Sequence, residues 1–196
     1  MPTIKLPDME VVYKEMWSMQ PLYRMVRQWL MENEYSDDKG DTTMESSMEI
    51  LYWWREGTHI NPHEKELRIW WRAQKRPVPV GTSGSRFYLH HMDIDWNVIN
   101  LVDKEIMREG KKEKVQAGEL RILLKPYIEV ADIDKVPIIG LFKNWIYTRL
   151  IKKNLEEHRK ILYQDVYRLQ GTIKKYLELK SFLPKEELLH QKFEFI

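Results

Sequence analysis

The chain has 196 residues, a net charge of only +2 and no cysteine. That length carries a sizeable single core. The charge demands no polyanionic partner, and the missing thiols exclude disulfides, thiolate zinc sites, iron–sulfur clusters and cysteine nucleophiles together. Hydrophobic residues at 43% and charged residues at 32% place the chain among globular rather than disordered sequences.

In chain order, Asp8 to Asn33 reads as helical. Met9, Val12, Tyr13, Met16 and Trp17 follow helical spacing, with Asp8 as a cap. Pro21 then breaks this element or opens a second helix carrying Leu22, Met25, Val26, Trp29 and Leu30 on one face. The polar stretch ENEYSDDKGDTTMESS ends it. Residues 48–131 read as an antiparallel meander of three to four strands: Met48–Arg55, which has a short helix as its alternative, Glu66–Arg76, Arg86 to about Met107, and Gln116–Val130. A bulge is expected near Asn97 to Asn100, and Pro126 points to a sheet edge or a bulge. A long helix is expected over residues 138–182, with a short tail at 183–196. Its apolar residues recur at Leu141, Trp145, Ile151, Leu155, Leu162, Val166, Leu169, Ile173 and Leu177. The expected fold class is therefore α+β in one domain: N-terminal helices, a meander and a long C-terminal helix.

The sharpest chemical question lies in RFYLHHMDIDWNV, Arg86 to Val98. In a strand, alternate residues share a face. His90 and His91 then point to opposite sides, and His91, Asp93 and Asp95 share one. Two carboxylates and an imidazole suit Mn²⁺ or Fe²⁺. Yet successive residues on one strand face stand about 7 Å apart and converge poorly on one ion. The neighbouring strand ELRIWWRAQKR sets Arg68, Trp70, Arg72, Gln74 and Arg76 on one face, with Leu67, Ile69, Trp71 and Ala73 on the other. If Trp71 faces the core with Ile94 and Trp96, Arg68 and Arg72 lie beside the acidic residues. A cross-strand charge ladder, continued by Lys125 and Glu129, is then the simplest reading.

The same strand supports a stacking platform for single-stranded nucleic acid, because Trp70 is interleaved with arginines. The paired tryptophans, Trp53–Trp54 and Trp70–Trp71, send one ring to each side of a strand, so one of each pair needs cover from a helix or a partner. From residue 138 to 181 the long helix has ten Lys or Arg against four Asp or Glu, Lys152 and Lys153 among them, which suits an anionic partner or simply a solvated face. At about 44 residues and 1.5 Å per residue it would span roughly 65 Å, against a domain diameter of about 40 Å. It must break, near Gly171 for instance, or find a partner or a second copy.

No P-loop, dinucleotide-binding turn, nucleophile elbow or HExxH motif is present, and no cofactor is expected. His59 and His63 sit in a turn with no evident third ligand. The N-terminus lacks the apolar core of a signal peptide, and the longest apolar run, Val136 to Phe142, falls far below the roughly 20 residues of a membrane span. These features predict a cytoplasmic protein or a component of an intracellular or virion assembly.

The segments ELRIWWRAQK, FYLHHMDIDW, EGKKEKVQAGELRILLKPYIE and YRLQGTIKKYLELKSFLP together resemble a group of uncharacterised conserved archaeal proteins with a helix, a β-meander and a long C-terminal helix. The resemblance covers most of the chain after Glu66. It implies an archaeal or thermophilic setting and brings no function or site residue. The expected function is a non-catalytic binding or assembly protein, acting through its long helix and the aromatic sheet surface at Trp54, Arg68, Trp70, Arg72 and Arg76. Nucleic-acid binding through the Arg/Trp strand, Lys152 and Lys153 is the alternative. A metal-dependent enzyme at His91, Asp93 and Asp95 is the second.

Overall fold

The computed structural model describes residues 3–36, 48–57, 64–77, 88–108, 111–130 and 152–179. Seven antiparallel strands form one sheet with two helices. The strands are β1 (Thr3–Lys5), β2 (Met9–Tyr13), β3 (Met16–Trp17), β4 (Glu49–Glu56), β5 (Lys65–Lys75), β6 (Tyr88–Arg108) and β7 (Lys111–Val130). The helices are α1 (Met19–Glu32) and α2 (Lys152–Leu179).

This architecture corrects the expected α+β fold. The meander β4-β5-β6-β7 is there, but the sheet does not stop at four strands. Residues expected to begin an N-terminal helix are instead β1, β2 and β3, laid in succession along the free side of β7. In MEVVY, Val11 is buried while Glu10 and Val12 are exposed, an alternation of period two that a helical reading had spread over four. β-branched residues fit a pleated surface better than a helix. Hydrogen bonds to β7 then settle the choice, since they satisfy both chains. The N-terminal region therefore holds one helix, not two, and Pro21 sits in the first turn of α1, where its missing N–H is no loss.

Pro126 is internal to the sheet, opposite Met92 of β6. Its carbonyl accepts from the Leu6 N–H at 3.0 Å, so its nitrogen also faces the N-terminal side rather than β6. It stands opposite the break between β1 and β2, where no ladder bond is lost. The β6–β7 register shifts between Ile99 and Val102. Asn100 there adopts φ 54, and a Cβ on Gly118 across from it would come within 2.8 Å of the Asn100 carbonyl oxygen. Only glycine allows that approach.

The register sorts the sheet into two faces. Leu67, Ile69, Trp71 and Ala73 of β5 align with Val98, Trp96, Ile94 and Met92 of β6, then with Leu120, Ile122 and Leu124 of β7. All of these are buried. Both helices cover this face. Tyr23 of α1 meets Trp71 edge-on at 4.8 Å, and α2 lays Leu162, Val166, Leu169, Ile173 and Leu177 into the same core. Tyr35, just past α1, donates to Asp165 of α2 at 3.1 Å and so ties the two helical segments together.

The helix α2 runs 28 residues through Gly171 without a break. At 1.5 Å per residue that described stretch is about 42 Å long. Its apolar stripe is spent on its own sheet. The expected stretch 138–151, with Leu141, Trp145 and Ile151, and the tail at 183–196 lie outside the described residues. So do the turn histidines His59 and His63. Among the described residues, no helix is long and apolar enough to cross a membrane.

Candidate interaction surface on the open sheet face

Among the described residues, no helix packs on the second face of the sheet. Its rows follow from the same register. Arg68, Trp70, Arg72 and Gln74 of β5 stand opposite Asn97, Asp95, Asp93 and His91 of β6. These stand in turn opposite Arg121, Leu123, Lys125 and Tyr127 of β7.

Polar groups in the middle of this face pair closely. Arg72 reaches Asp95 Oδ1 through Nη1 at 2.7 Å and Asp93 Oδ2 through Nε at 3.3 Å. Lys125 Nζ meets Asp95 Oδ2 at 2.6 Å. The two aspartates are thereby driven apart in acidity. Burial pushes Asp95 up, but hydrogen bonds from Lys125 and Arg72 outweigh it and hold the carboxyl below the usual carboxylate range. Burial dominates at Asp93, whose Oδ1 is buried with no hydrogen-bond partner, and its acidity is weakened despite Arg72. His91 turns away from both. It lies 3.0 Å from Glu129 Oε2 and stacks flat on Tyr127 with centroids 4.4 Å apart.

This arrangement bears directly on the metal alternative. Both oxygens of Asp95 hold cations of the protein, and His91 is committed to Glu129. Among the described residues, no three His, Asp or Glu side chains converge as metal ligands. The charged residues of this stretch are brought together as a ladder with Arg72 at its centre.

The tryptophans and arginines flank that ladder. The guanidinium of Arg72 lies 5.8 Å from the Trp70 ring, and that of Arg68 lies 5.4 Å from the Trp53 ring. Trp70 and Trp53 stay exposed at 38% and 37%. Arg68 makes no ion pair among the described residues. It lines an open groove of about 470 Å³ with Asn97, Val98, Ile99, Glu119 and Arg121. Arg121 in that groove is already paired with Glu119 at 3.0 Å and Glu10 at 3.3 Å.

The remaining residues singled out in the sequence are not gathered here. Trp54, 58% exposed, points to the helix-covered side, beyond the reach of either helix. Arg76 is exposed just past the end of β5. Lys152 and Lys153 open α2, and their side chains lie outside the described residues.

Two features escaped the sequence. Glu49, at the start of β4, accepts from the Tyr23 hydroxyl at 2.7 Å and the Trp71 indole at 2.9 Å, so it fastens α1 to the sheet. A histidine pair lies under α2, with His90 Nε2 3.2 Å from His158 Nδ1. Burial, reinforced by His158 and Lys75, pushes His90 down to about 3, and burial lowers His158 as well. The signal for His158 was its phase, four residues before Leu162 on the apolar stripe.

Three comparisons bear on kinship: no protein-family model matches this chain, and no curated protein and no solved structure matches it either.

Proposed function

We propose that this is a non-catalytic binding protein whose working surface is the exposed aromatic end of the sheet, on β4 and β5. One observation carries the reading. Large apolar side chains that a fold normally covers are concentrated there: Ile50, Tyr52, Trp53, Trp54 and Trp70. Contiguous exposed aromatics mark contact surfaces more often than the rest of a protein's exterior. The central ion pairs hold Arg72 to Asp93 and Asp95, beside the Trp70 ring, so that less side-chain freedom is left to lose on docking there. The reading rests on the sheet surface alone, because α2 already buries its stripe within the domain.

A second reading is single-stranded nucleic acid. Arg68 favours it, lying over the Trp53 ring with no ion-pair partner among the described residues. Arg72 does not, since Asp93 and Asp95 hold its charge.

A photo-crosslinking benzophenone side chain placed at Trp70 in the native host tests both. Protein adducts at position 70, absent at the exposed control Tyr167 on α2, are the expected result. Nucleic-acid adducts would replace the first reading with the second. Equal labelling at the two positions would end it.

A further inference from the structure

We propose that the outer edge of β4 pairs antiparallel with β4 of a second copy, joining two sheets into one across a two-fold axis at Trp53. This rests on the reading of the β4 and β5 aromatics as a contact surface, and names its partner.

The first argument is the edge itself. β4 is an eight-residue strand, EILYWWRE, with neither proline nor lysine; its register with β5 shifts between Glu49 and Leu51 and is regular from Leu51 to Glu56. Among the described residues, no strand pairs with its outer side. A regular edge segment such as Leu51–Glu56 is where a further strand can add.

The second argument is geometric. Trp53 stands on the open face opposite Arg68, while Tyr52 and Trp54 stand on the helix-covered side opposite Ile69 and Leu67. All three are exposed. A partner lying against either face reaches only one set. A strand added in the plane of the sheet flanks both.

The third argument is the backbone. The Gly57 N–H donates to the Glu64 carbonyl at 2.9 Å, toward β5. Alternation then turns Arg55, Trp53 and Leu51 inward and leaves Glu56, Trp54 and Tyr52 with outward N–H and C=O groups. An axis at Trp53 makes Tyr52 and the other copy's Trp54 a hydrogen-bonded pair. The two Trp53 residues form the closer, non-hydrogen-bonded pair.

The fourth is side-chain complementarity, which favours a copy over a foreign strand. In that register Tyr52 faces Trp54, Leu51 faces Arg55, Ile50 faces Glu56, and no like charges oppose each other. Aromatic pairs directly across strands stabilise the pairing. Moving the axis to Arg55 would set two arginines against each other.

The test is light scattering on a sizing column across the micromolar range. The expected wild-type mass is twice 23.9 kDa. Trp53→Lys and Trp53→Asp place like charges at the axis, so each alone should run as a monomer, and an equimolar mixture should restore the dimer. A second pair of variants separates backbone from ring. Trp54→Pro removes an outward N–H that β5 does not use, whereas Trp54→Thr removes only the ring. The proline variant should dimerise about tenfold more weakly than the threonine variant, or worse. Circular dichroism confirms that each variant folds. A wild-type monomer at every concentration overturns the inference, as does a dimer indifferent to these substitutions. Foreign-protein adducts at Trp70 from such a monomer would leave the broader reading standing, so the two failures are told apart.

Discussion

The two edges of this sheet solve the same physical problem differently. On one side, β7 is lined by β1, β2 and β3, three short pieces broken at Leu6–Asp8 and at Lys14–Glu15. The breaks blunt that edge, and α2 braces it: the Tyr176 hydroxyl donates to the Ser18 carbonyl at 3.3 Å and Gln170 to the Glu10 carbonyl at 3.2 Å. On the other side, β4 is a single strand rich in aromatics, irregular only between Glu49 and Leu51, and among the described residues no strand pairs with its outer side. A chain that breaks one edge into three short pieces and keeps six regular residues on the other, Leu51 to Glu56, concentrates its capacity for strand addition on a single side.

That contrast can be broken or sharpened by experiment. The largest effect is expected at Trp17, which closes the β3 end and is fully buried. Trp17→Ala should cost about 3–5 kcal/mol in a denaturant titration, as for other buried aromatic truncations. A loss near zero would mean that the N-terminal strands add little to the braced edge.

Next comes acid. His90 and His158 are both held below their ordinary values by burial, so an unfolded chain takes up more protons than the native one below about pH 6.5. The stability they contribute is complete above that pH and is lost as the pH falls toward about 3, where His90 titrates in the fold. His91, Lys75 and Glu157 are the charges that act on the pair. The melting temperature should drop between pH 7 and pH 4, with hydrogen exchange rising first in α2. A His90→Leu/His158→Leu variant should flatten that part of the profile, and an unchanged slope would remove the pair from the account.

A smaller effect is expected at Gly118. Its replacement by alanine forces a Cβ to within 2.9 Å of the Ile99 carbonyl oxygen as well as that of Asn100. Overpacking of this sort costs about 1–3 kcal/mol. The loss should come with faster amide exchange around Ile99 to Val102, and exchange unchanged there would refute the steric reading.

The smallest change is expected on the bare edge. Trp54→Thr removes a ring 58% exposed, and the stability of the isolated monomer should move by no more than about 0.5 kcal/mol. A large loss from Trp54, comparable with that from Trp17, would show that β4 is braced after all.

Part of this was readable from the residues. β5 alternates so cleanly that period two alone puts Leu67, Ile69, Trp71 and Ala73 on one face and Arg68 and Trp70 on the other, while the helices decide that the first face is the buried one. Once Trp71, Ile94 and Trp96 share the core, Arg72 must stand beside Asp93 and Asp95, as it does. The N-terminal segment was not readable in this way. Met9, Val12, Tyr13 and Met16 fit a helical stripe in isolation, and nothing local says that β7 offers them an edge. The groove at Arg68, Asn97, Ile99 and Arg121 was equally hidden, since its walls come from strands far apart in the chain.

Periodicity by itself marked β5, β6 and β7 as strands, sorted the residues of β5 into two faces, and set out the stripe from Leu162 to Leu177 on α2. These are local patterns, and the repeat of each element is written into consecutive side chains. Only the tertiary structure decided that β1, β2 and β3 are strands, which face of the sheet is buried, that α2 closes on its own sheet, that His158 meets His90, and that among the described residues β4 is left with an unpaired outer side. Those outcomes depend on which distant backbone supplies hydrogen bonds and which distant face is apolar. A short segment with two permissible periods takes the one that the rest of the fold completes.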